Sequence, residues 1–255
     1  MADPLAGFVP DFVEKEEPRE VILKLGHMVT NRIPYRLGLK KLTKYDPEYW
    51  GLSLLLTDEM AEIALKMGVR KPKTLADMVK ITGMEAGKLE PLLEEMSYRG
   101  ILEYNWENPT RTKQWVLPMF VPGSAEFTNM NDTILKEHPE MGRFFERMSR
   151  LPLEKVTPMV PPGGAGIGMH VIPVEKAIET ENQSVSVEHI SHWLDKYEGK
   201  YAASPCSCRK SRQTFDEGCA DDPEGWCVAV GDMADYVVET GKGGRYITRE
   251  EALEM

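Results

Sequence analysis

Apolar residues recur at helical spacing near the N-terminus of the chain. Val21, Ile22, Leu25 and Met28–Val29 lie three or four residues apart, which predicts one amphipathic helix. The surrounding segment, residues 1–46, opens acidic and then becomes basic. We expect it to form an N-terminal helical arm that packs on its own domain or on a partner subunit.

Residues 47–122 combine three short helical patterns with two strand patterns. Thr57 can cap the first helix, which Gly68 ends, and Thr74 can cap the second, which ends near Gly83. Gly100 ends the third helix. The third helix should begin near Lys88, because Pro91 fits only the first turn of a helix. Residues 101–106 and 114–117 are rich in apolar and aromatic residues, and the turn residues Glu107-Asn-Pro-Thr lie between them, which predicts a two-stranded hairpin. Three helices followed by a hairpin is the order of a winged helix-turn-helix.

The pattern is weaker in residues 123–170, where we expect one helix over 132–149 and a connector. Residues 157–168 are rich in proline and glycine, which predicts a domain boundary. Residues 171–255 then carry a strand at 171–174, a helix capped by Ser186 and all four cysteines. The predicted fold class is α+β and mostly helical, with a winged-helix-like module and a small C-terminal iron–sulfur domain.

Charge narrows the range of partners. The 255 residues carry a formal net charge of −10, which disfavours nucleic acid and anionic membranes because both are polyanions. A local basic patch could still outweigh that average, but we expect neither partner. No apolar run approaches the roughly 20 residues needed to span a bilayer. The first ten residues lack a basic region followed by an apolar one, so we expect no signal peptide and a cytoplasmic protein.

The four cysteines are the most informative residues. They lie in the pattern Cys206-x-Cys208-x10-Cys219-x7-Cys227, and none occurs in the first 205 residues. A disulfide framework would normally spread its cysteines over a short secreted chain. Clustering therefore favours thiolate ligation of a [4Fe–4S] or [2Fe–2S] cluster or of zinc. Zinc ribbons prefer paired C-x2-C knuckles and bacterial ferredoxins a C-x2-C-x2-C run, and both are absent, so spacing alone does not name the metal.

Two neighbours of the cysteines favour a cluster over zinc. Arg209 follows the C-x-C directly, and its guanidinium would stabilise a reduced, more negative cluster. Trp226 and residues 228–230 flank Cys227 with apolar side chains, which would limit solvent access. We therefore predict Cys206, Cys208, Cys219 and Cys227 as metal ligands, with Arg209 and Trp226 contacting the cofactor. No residue is predicted to be catalytic.

The winged-helix pattern also raises the possibility of DNA binding. A recognition helix should be basic on its exposed face, but residues 85–99 hold four glutamates against Lys88 and Arg99. Two alternatives stay open at this stage. One is a redox-sensing winged-helix transcription regulator, and the other is a zinc-stabilised module for protein interaction.

Several segments resemble a known class of protein. These are Ser204-Pro-Cys-Ser-Cys-Arg209 with Cys219, Pro223 and Cys227, residues 231–253, residues 5–10 and residues 154–166. Together they resemble the amino-terminal region of large multi-cluster iron–sulfur and flavin oxidoreductases of anaerobes, of the pyridine-nucleotide-disulfide type. The resemblance covers nearly the whole chain and implies that the four cysteines ligate one [4Fe–4S] cluster.

The same resemblance implies an electron-transfer role. Those larger proteins continue into ferredoxin-type motifs and flavin or nucleotide domains, which this sequence lacks. We therefore expect an electron-transfer component, not catalytic by itself, that is a subunit or the N-terminal portion of a flavin-dependent oxidoreductase. FAD or NAD would be bound only by a partner or a further domain, and a homodimer is a further option.

Overall fold

Helices and two small antiparallel sheets make up residues 8–150, 189–217 and 226–255, which are the parts of the chain described by the computed structural model. Elements are numbered in chain order within these parts. The helices are α1 (Asp11–Lys15), α2 (Glu20–Val29), α3 (Ile33–Arg36), α4 (Pro47–Leu55), α5 (Asp58–Met67), α6 (Leu75–Thr82), α7 (Ala86–Tyr98), α8 (Ser124–Met130), α9 (Asp132–Glu137), α10 (Glu140–Phe145), α11 (Ile190–Lys196), α12 (Ser207–Gln213), α13 (Asp232–Glu239) and α14 (Arg249–Glu254). The strands are β1 (Lys73–Thr74), β2 (Glu103–Asn105), β3 (Gln114–Val116), β4 (Tyr201–Pro205), β5 (Trp226–Val230) and β6 (Arg245–Tyr246).

The α+β class and the predicted N-terminal helix are confirmed. Helix α2 buries Ile22, Leu25 and Val29 on one face. That face packs against α4 and α5. The predicted connector at 157–168, the strand at 171–174, the cap Ser186 and Cys219 lie outside the described residues.

The cap residues of the helices at 57–83 are confirmed. Thr57 accepts a hydrogen bond from the Met60 amide (3.2 Å), and Thr74 forms a reciprocal capping box with Asp77. Gly83 ends α6 in the left-handed conformation at φ 75°, which glycine adopts without a Cβ penalty.

The start of the third helix was predicted two residues too late. Helix α7 begins at Ala86, so Pro91 occupies its sixth position instead of the first turn. Proline removes the amide that would bond the Gly87 carbonyl. Both residues are exposed, so water can bond that carbonyl instead.

The predicted hairpin is confirmed and joins a third strand. Strands β2 and β3 pair antiparallel with Tyr104 opposite Trp115, and β1 pairs on the other side of β3. The strand order is β1–β3–β2. Along the chain, helices α5 to α7 and the three strands of this sheet follow one another in the order α5, β1, α6, α7, β2, β3.

A single helix over 132–149 was wrong, because two helices and a π-helical turn occupy that segment. Helix α9 ends at Glu137, α10 begins at Glu140, and residues Glu146–Arg150 form the π-helical turn. Pro139 lies between the two helices. It disfavours the helical conformation in His138, which explains the break.

The C-terminal sheet packs on the same core as the helices. Its strand order is β5–β4–β6, and α13 follows β5. Tyr236 on α13 is completely buried, donates to the Leu102 carbonyl (2.8 Å) and packs edge-on against Tyr104 and Phe127. One hydrophobic core thus runs from α1 to α13. The predicted domain limits stay a prediction.

Two further observations complete the architecture. Thr248 caps α14 through a capping box with Glu251. Within the described ranges, every helix is too short or too polar to cross a membrane.

Candidate metal centre

Three of the four cysteines lie around the turn from β4 into α12. Cys206 follows β4 directly and occupies the N-cap position of α12, and Cys208 lies in the first turn of that helix. Cys227 lies on β5, where the antiparallel register places it opposite Ser204. Strand pairing therefore brings Cys227 to the C-x-C turn across 18 intervening residues. Cys219 falls in the part of the chain that is not described.

The three thiols contact one another through Cys206. Hydrogen bonds from the Cys208 and Cys227 thiols to the Cys206 sulfur hold the pKa of Cys206 far below its usual range. The same bonds raise the pKa of Cys208 and of Cys227. The three thiols are therefore coupled, since a second negative charge close to the Cys206 thiolate is unfavourable. A bound cation would remove that constraint by stabilising all the thiolates.

Backbone amides also point at the sulfurs. The amides of Cys208 and Arg209 donate to the Cys206 sulfur, and the amide of Ser207 donates to the Cys227 sulfur. The beginning of a helix leaves such N–H groups without intrahelical partners. Three consecutive amides thus stabilise negative charge on sulfur, the kind of contact that tunes a thiolate-bound metal.

Polar residues of other helices hold α12 in place. Asn129, completely buried on α8, donates to the Ser207 carbonyl. Ser211 donates to the Gly142 carbonyl (3.0 Å), and Arg212 pairs with the buried Glu146 (2.7 Å). These anchors were missed in the sequence, because they lie 66 to 78 residues from their partners and match no motif.

Helices α10 and α12 also approach closely. A Cβ added at Gly142 would lie 2.5 Å from the Thr214 methyl group. That contact is too short for two carbon atoms, so glycine at position 142 permits the packing. The C-x-C turn consequently rests on a tightly packed support.

Glu126 is a second titratable group near the thiols. It lies on α8, accepts a hydrogen bond from the Gly123 amide (2.8 Å), and its charge acts on Cys208. Burial raises the pKa of Glu126 to about 7, against the smaller opposing effects of the Gly123 amide and Arg70. The sequence contained no signal for this residue, since burial of one glutamate is decided by tertiary packing.

The two predicted cofactor-contact residues differ in their placement. Arg209 is half-buried in α12, and its amide belongs to the donor set on Cys206. Trp226 is 37% exposed, and its ring lies 5.6 Å from the guanidinium carbon of Arg245. Because side chains alternate along a strand, Trp226 and Cys227 point to opposite faces of β5. The cofactor roles of Arg209 and Trp226 stay predictions.

The donor set fits a metal bound through sulfur, although the described part does not complete it. Across residues 8–150, 189–217 and 226–255 no three His, Cys, Asp or Glu side chains form a ready metal-binding group. Instead, the thiols of Cys208 and Cys227 each interact with the sulfur of Cys206. Soft thiolates with amide donors are the ligands that iron–sulfur clusters and zinc prefer.

Comparisons with known proteins add no assignment. No family model matches the chain, and neither characterised proteins nor solved structures show significant similarity to it.

Proposed function

We propose that the protein is an iron–sulfur electron-transfer component, with one [4Fe–4S] cluster held by Cys206, Cys208, Cys219 and Cys227. The observation that carries this proposal is the convergence of three of these cysteines at the β4–α12 turn, with three backbone amides donating to their sulfurs. When bound, such a cluster accepts and releases one electron. The chain's own part is to hold four thiolates and to set the potential through amide donors and nearby charge.

The position of the thiols supports electron exchange with a partner. Cys208 and Cys227 are exposed, and Cys206 is half-buried. A cluster there would lie near the protein surface, within reach of a second redox centre. The partner in this proposal is a flavin and iron–sulfur oxidoreductase subunit or domain, which would carry any FAD or NAD.

A zinc-stabilised interaction module is the second candidate, because four clustered cysteine thiolates are also the ligands of structural zinc sites. Zinc binds four sulfurs at about 2.3 Å in a tetrahedron, which brings neighbouring sulfurs within about 4 Å of each other. A [4Fe–4S] cluster holds its cysteine sulfurs further apart, since each binds a different iron. The distances between the bound sulfurs would therefore distinguish the two metals, and the exposure of Cys208 and Cys227 favours electron transfer.

A redox-sensing DNA-binding regulator receives less support. The element order from α5 to β3 is compatible with a winged helix, and we propose that fold for residues 47–122. Three basic side chains of its third helix and hairpin form ion pairs: Lys88 with Glu59, Lys113 with Glu94, and Arg111 with Asp232. The first strand of the hairpin also packs against α13, where Tyr104 donates to Glu239 (2.5 Å). We propose that the module serves packing and protein contact.

Metal analysis after anaerobic purification tests the proposal. The expected protein is brown, with broad absorbance near 400 nm and about four irons and four acid-labile sulfides per chain. One zinc per chain without iron would exclude the cluster and support the interaction module. Cys206→Ser should abolish iron binding, because Cys206 contacts both other thiols, whereas Ser191→Ala serves as a control away from the turn.

A further inference from the structure

Residues 33–45, which comprise helix α3 and the turn after it, combine exposed large apolar side chains with basic ones and are here called the apolar–basic loop. Ile33, Leu37 and Leu39 are 68%, 67% and 75% exposed, and Tyr45 is 47% exposed. The basic residues of the loop are Arg36, Lys40, Lys41 and Lys44. A cluster of exposed apolar side chains typically marks an interaction site, whereas single exposed apolar residues are common on protein surfaces.

The apolar–basic loop is held in shape by its own hydrogen bonds. The amides of Leu39 and Lys40 both donate to the Pro34 carbonyl, at 2.9 and 3.1 Å. Gly38 makes the turn at φ 69°, with nothing within 4 Å of the place where a Cβ would lie. The turn is therefore convex and projects its side chains outward.

Both ends of the loop are fixed to the body of the protein. Arg32 pairs with Asp46 (2.6 Å) and with the buried Glu48 (2.5 Å), and Tyr35 donates to Asp46 (3.0 Å). Leu42 is buried beneath the loop. The exposed side chains thus stand on a supported turn, so binding through them would lose little conformational entropy.

Charge along the chain is strongly segregated around this loop. Residues 33–45 hold four basic residues and no acidic one, whereas the whole chain carries a formal net charge of −10. At physiological ionic strength charges are screened beyond about 8 Å. A surface that meets the loop therefore experiences its local positive charge more than the net negative charge of the protein.

We propose that the apolar–basic loop docks the protein on the surface of an anionic phospholipid bilayer. Ile33, Leu37 and Leu39 would enter the boundary between headgroups and acyl chains, and Arg36, Lys40 and Lys41 would contact the lipid phosphates. Burial of apolar side chains and attraction of basic residues to anionic lipid act together in peripheral binding. Tyr45 fits the same boundary, because its ring is apolar and its hydroxyl polar.

The composition of the loop favours lipid over a protein partner. Lysine is depleted at protein–protein interfaces, whereas lysine and arginine with leucine and isoleucine are typical of membrane-surface segments. A convex turn with separate projecting side chains also suits a soft bilayer. This inference does not depend on the proposed cluster, since none of its residues belongs to the thiol site.

Vesicle flotation of the full-length protein tests the proposal. We expect binding to vesicles of phosphatidylcholine with 30% phosphatidylglycerol at 0.1 M salt, little binding to pure phosphatidylcholine, and weakening at 0.5 M salt. Lys40→Gln with Lys41→Gln, and separately Leu37→Ser with Leu39→Ser, should each lower the partition coefficient about tenfold. Lys80→Gln with Ile81→Ser is the matched control, because both residues are exposed on α6, and it should bind like the wild type.

A second readout locates the loop in the bilayer. Leu37→Trp should add a fluorescence component that shifts to shorter wavelength on anionic vesicles and is quenched by brominated lipid, whereas Ile81→Trp should not. Absence of binding, equal binding to both vesicle types, or an equal loss in the control variant would overturn the proposal. So would a dimer that dissociates in Leu37→Ser with Leu39→Ser, because the loop would then bind a second copy of the chain.

Discussion

The side-chain amide of Asn129 donates a hydrogen bond to the carbonyl oxygen of Ser207, the residue between Cys206 and Cys208. Asn129 is completely buried, and its Oδ1 atom has no hydrogen-bond partner within the described residues. The hydrogen bond therefore holds the C-x-C turn in place, although the Oδ1 atom of Asn129 is left without a partner in the described part of the chain. It connects helix α8 of the main core to the thiols.

Asn129→Ala should loosen the C-x-C turn, because the Ser207 carbonyl loses its donor in a buried place. Substitution of a residue that orients a metal ligand typically changes the metal affinity by about 10- to 100-fold. We expect about tenfold faster loss of iron to a chelator, with the main core still folded by circular dichroism. Thr133→Ala, an exposed change on the next helix, is the control. Unchanged metal release would show that the turn holds itself without α8.

Glu126→Gln should stabilise the protein at neutral pH but not in acid. Burial raises the pKa of Glu126 from 4.5 to about 7, so between these values the folded protein keeps a proton that the unfolded chain has released. Wild-type stability therefore falls as pH rises across that window. Glutamine is always neutral and can still accept the hydrogen bond from Gly123.

The expected difference for Glu126→Gln is close to zero at pH 4.5 and up to about 3 kcal/mol in favour of the variant at pH 8. Denaturant unfolding in anaerobic buffer across this range measures it. Glu85→Gln, at an exposed position, should differ little from the wild type at every pH. A constant difference between wild type and Glu126→Gln would contradict the raised pKa.

Lys242→Met should destabilise the protein, and increasingly so at alkaline pH. The buried Nζ atom of Lys242 lies within hydrogen-bond distance of the carbonyls of Tyr98 (2.7 Å), Thr240 (2.8 Å) and Ser97 (3.0 Å). Methionine would leave these carbonyls without donors, which costs about 1–3 kcal/mol. The lysine thereby joins the end of α7 to the end of α13.

The pH dependence follows from burial, which lowers the pKa of Lys242 from 10.5 to about 7. Between these values the unfolded chain binds a proton that the folded protein lacks, so wild-type stability rises with pH across the window. The gap between wild type and Lys242→Met should widen from pH 7 to pH 10 in thermal unfolding. A gap that is the same at both pH values would mean that Lys242 stays charged in the folded protein.

Arg209→Gln tests whether the guanidinium of Arg209 tunes the proposed cluster. Reduction adds negative charge, which a nearby guanidinium stabilises because Coulomb energy scales with the product of charges. We expect the midpoint potential to fall by a few tens of millivolts, with the iron content unchanged. Lys66→Gln, on the exposed face of α5, should leave the potential unaltered. Loss of metal with no change in potential would assign Arg209 a structural role.

Local sequence determined much of the secondary structure of this protein. Thr57, Thr74 and Thr248 begin helices because a hydroxyl next to an acidic first turn satisfies free amides without help from distant residues. Gly83 ends a helix for an equally local reason, since its backbone adopts a positive φ without strain. The closeness of Cys206 and Cys208 likewise needs only their spacing.

Tertiary structure decided the properties that depend on burial and on distant contacts. Cys227 reaches Cys206 because β4 and β5 pair in one register, and the raised pKa of Glu126 and lowered pKa of Lys242 come from desolvation. No spacing rule encodes these effects, because each requires surfaces far apart in the chain to exclude water from one side chain. The exposure of Leu37 and Leu39 is the opposite case: both are apolar in the sequence, and only the packed structure leaves them in solvent.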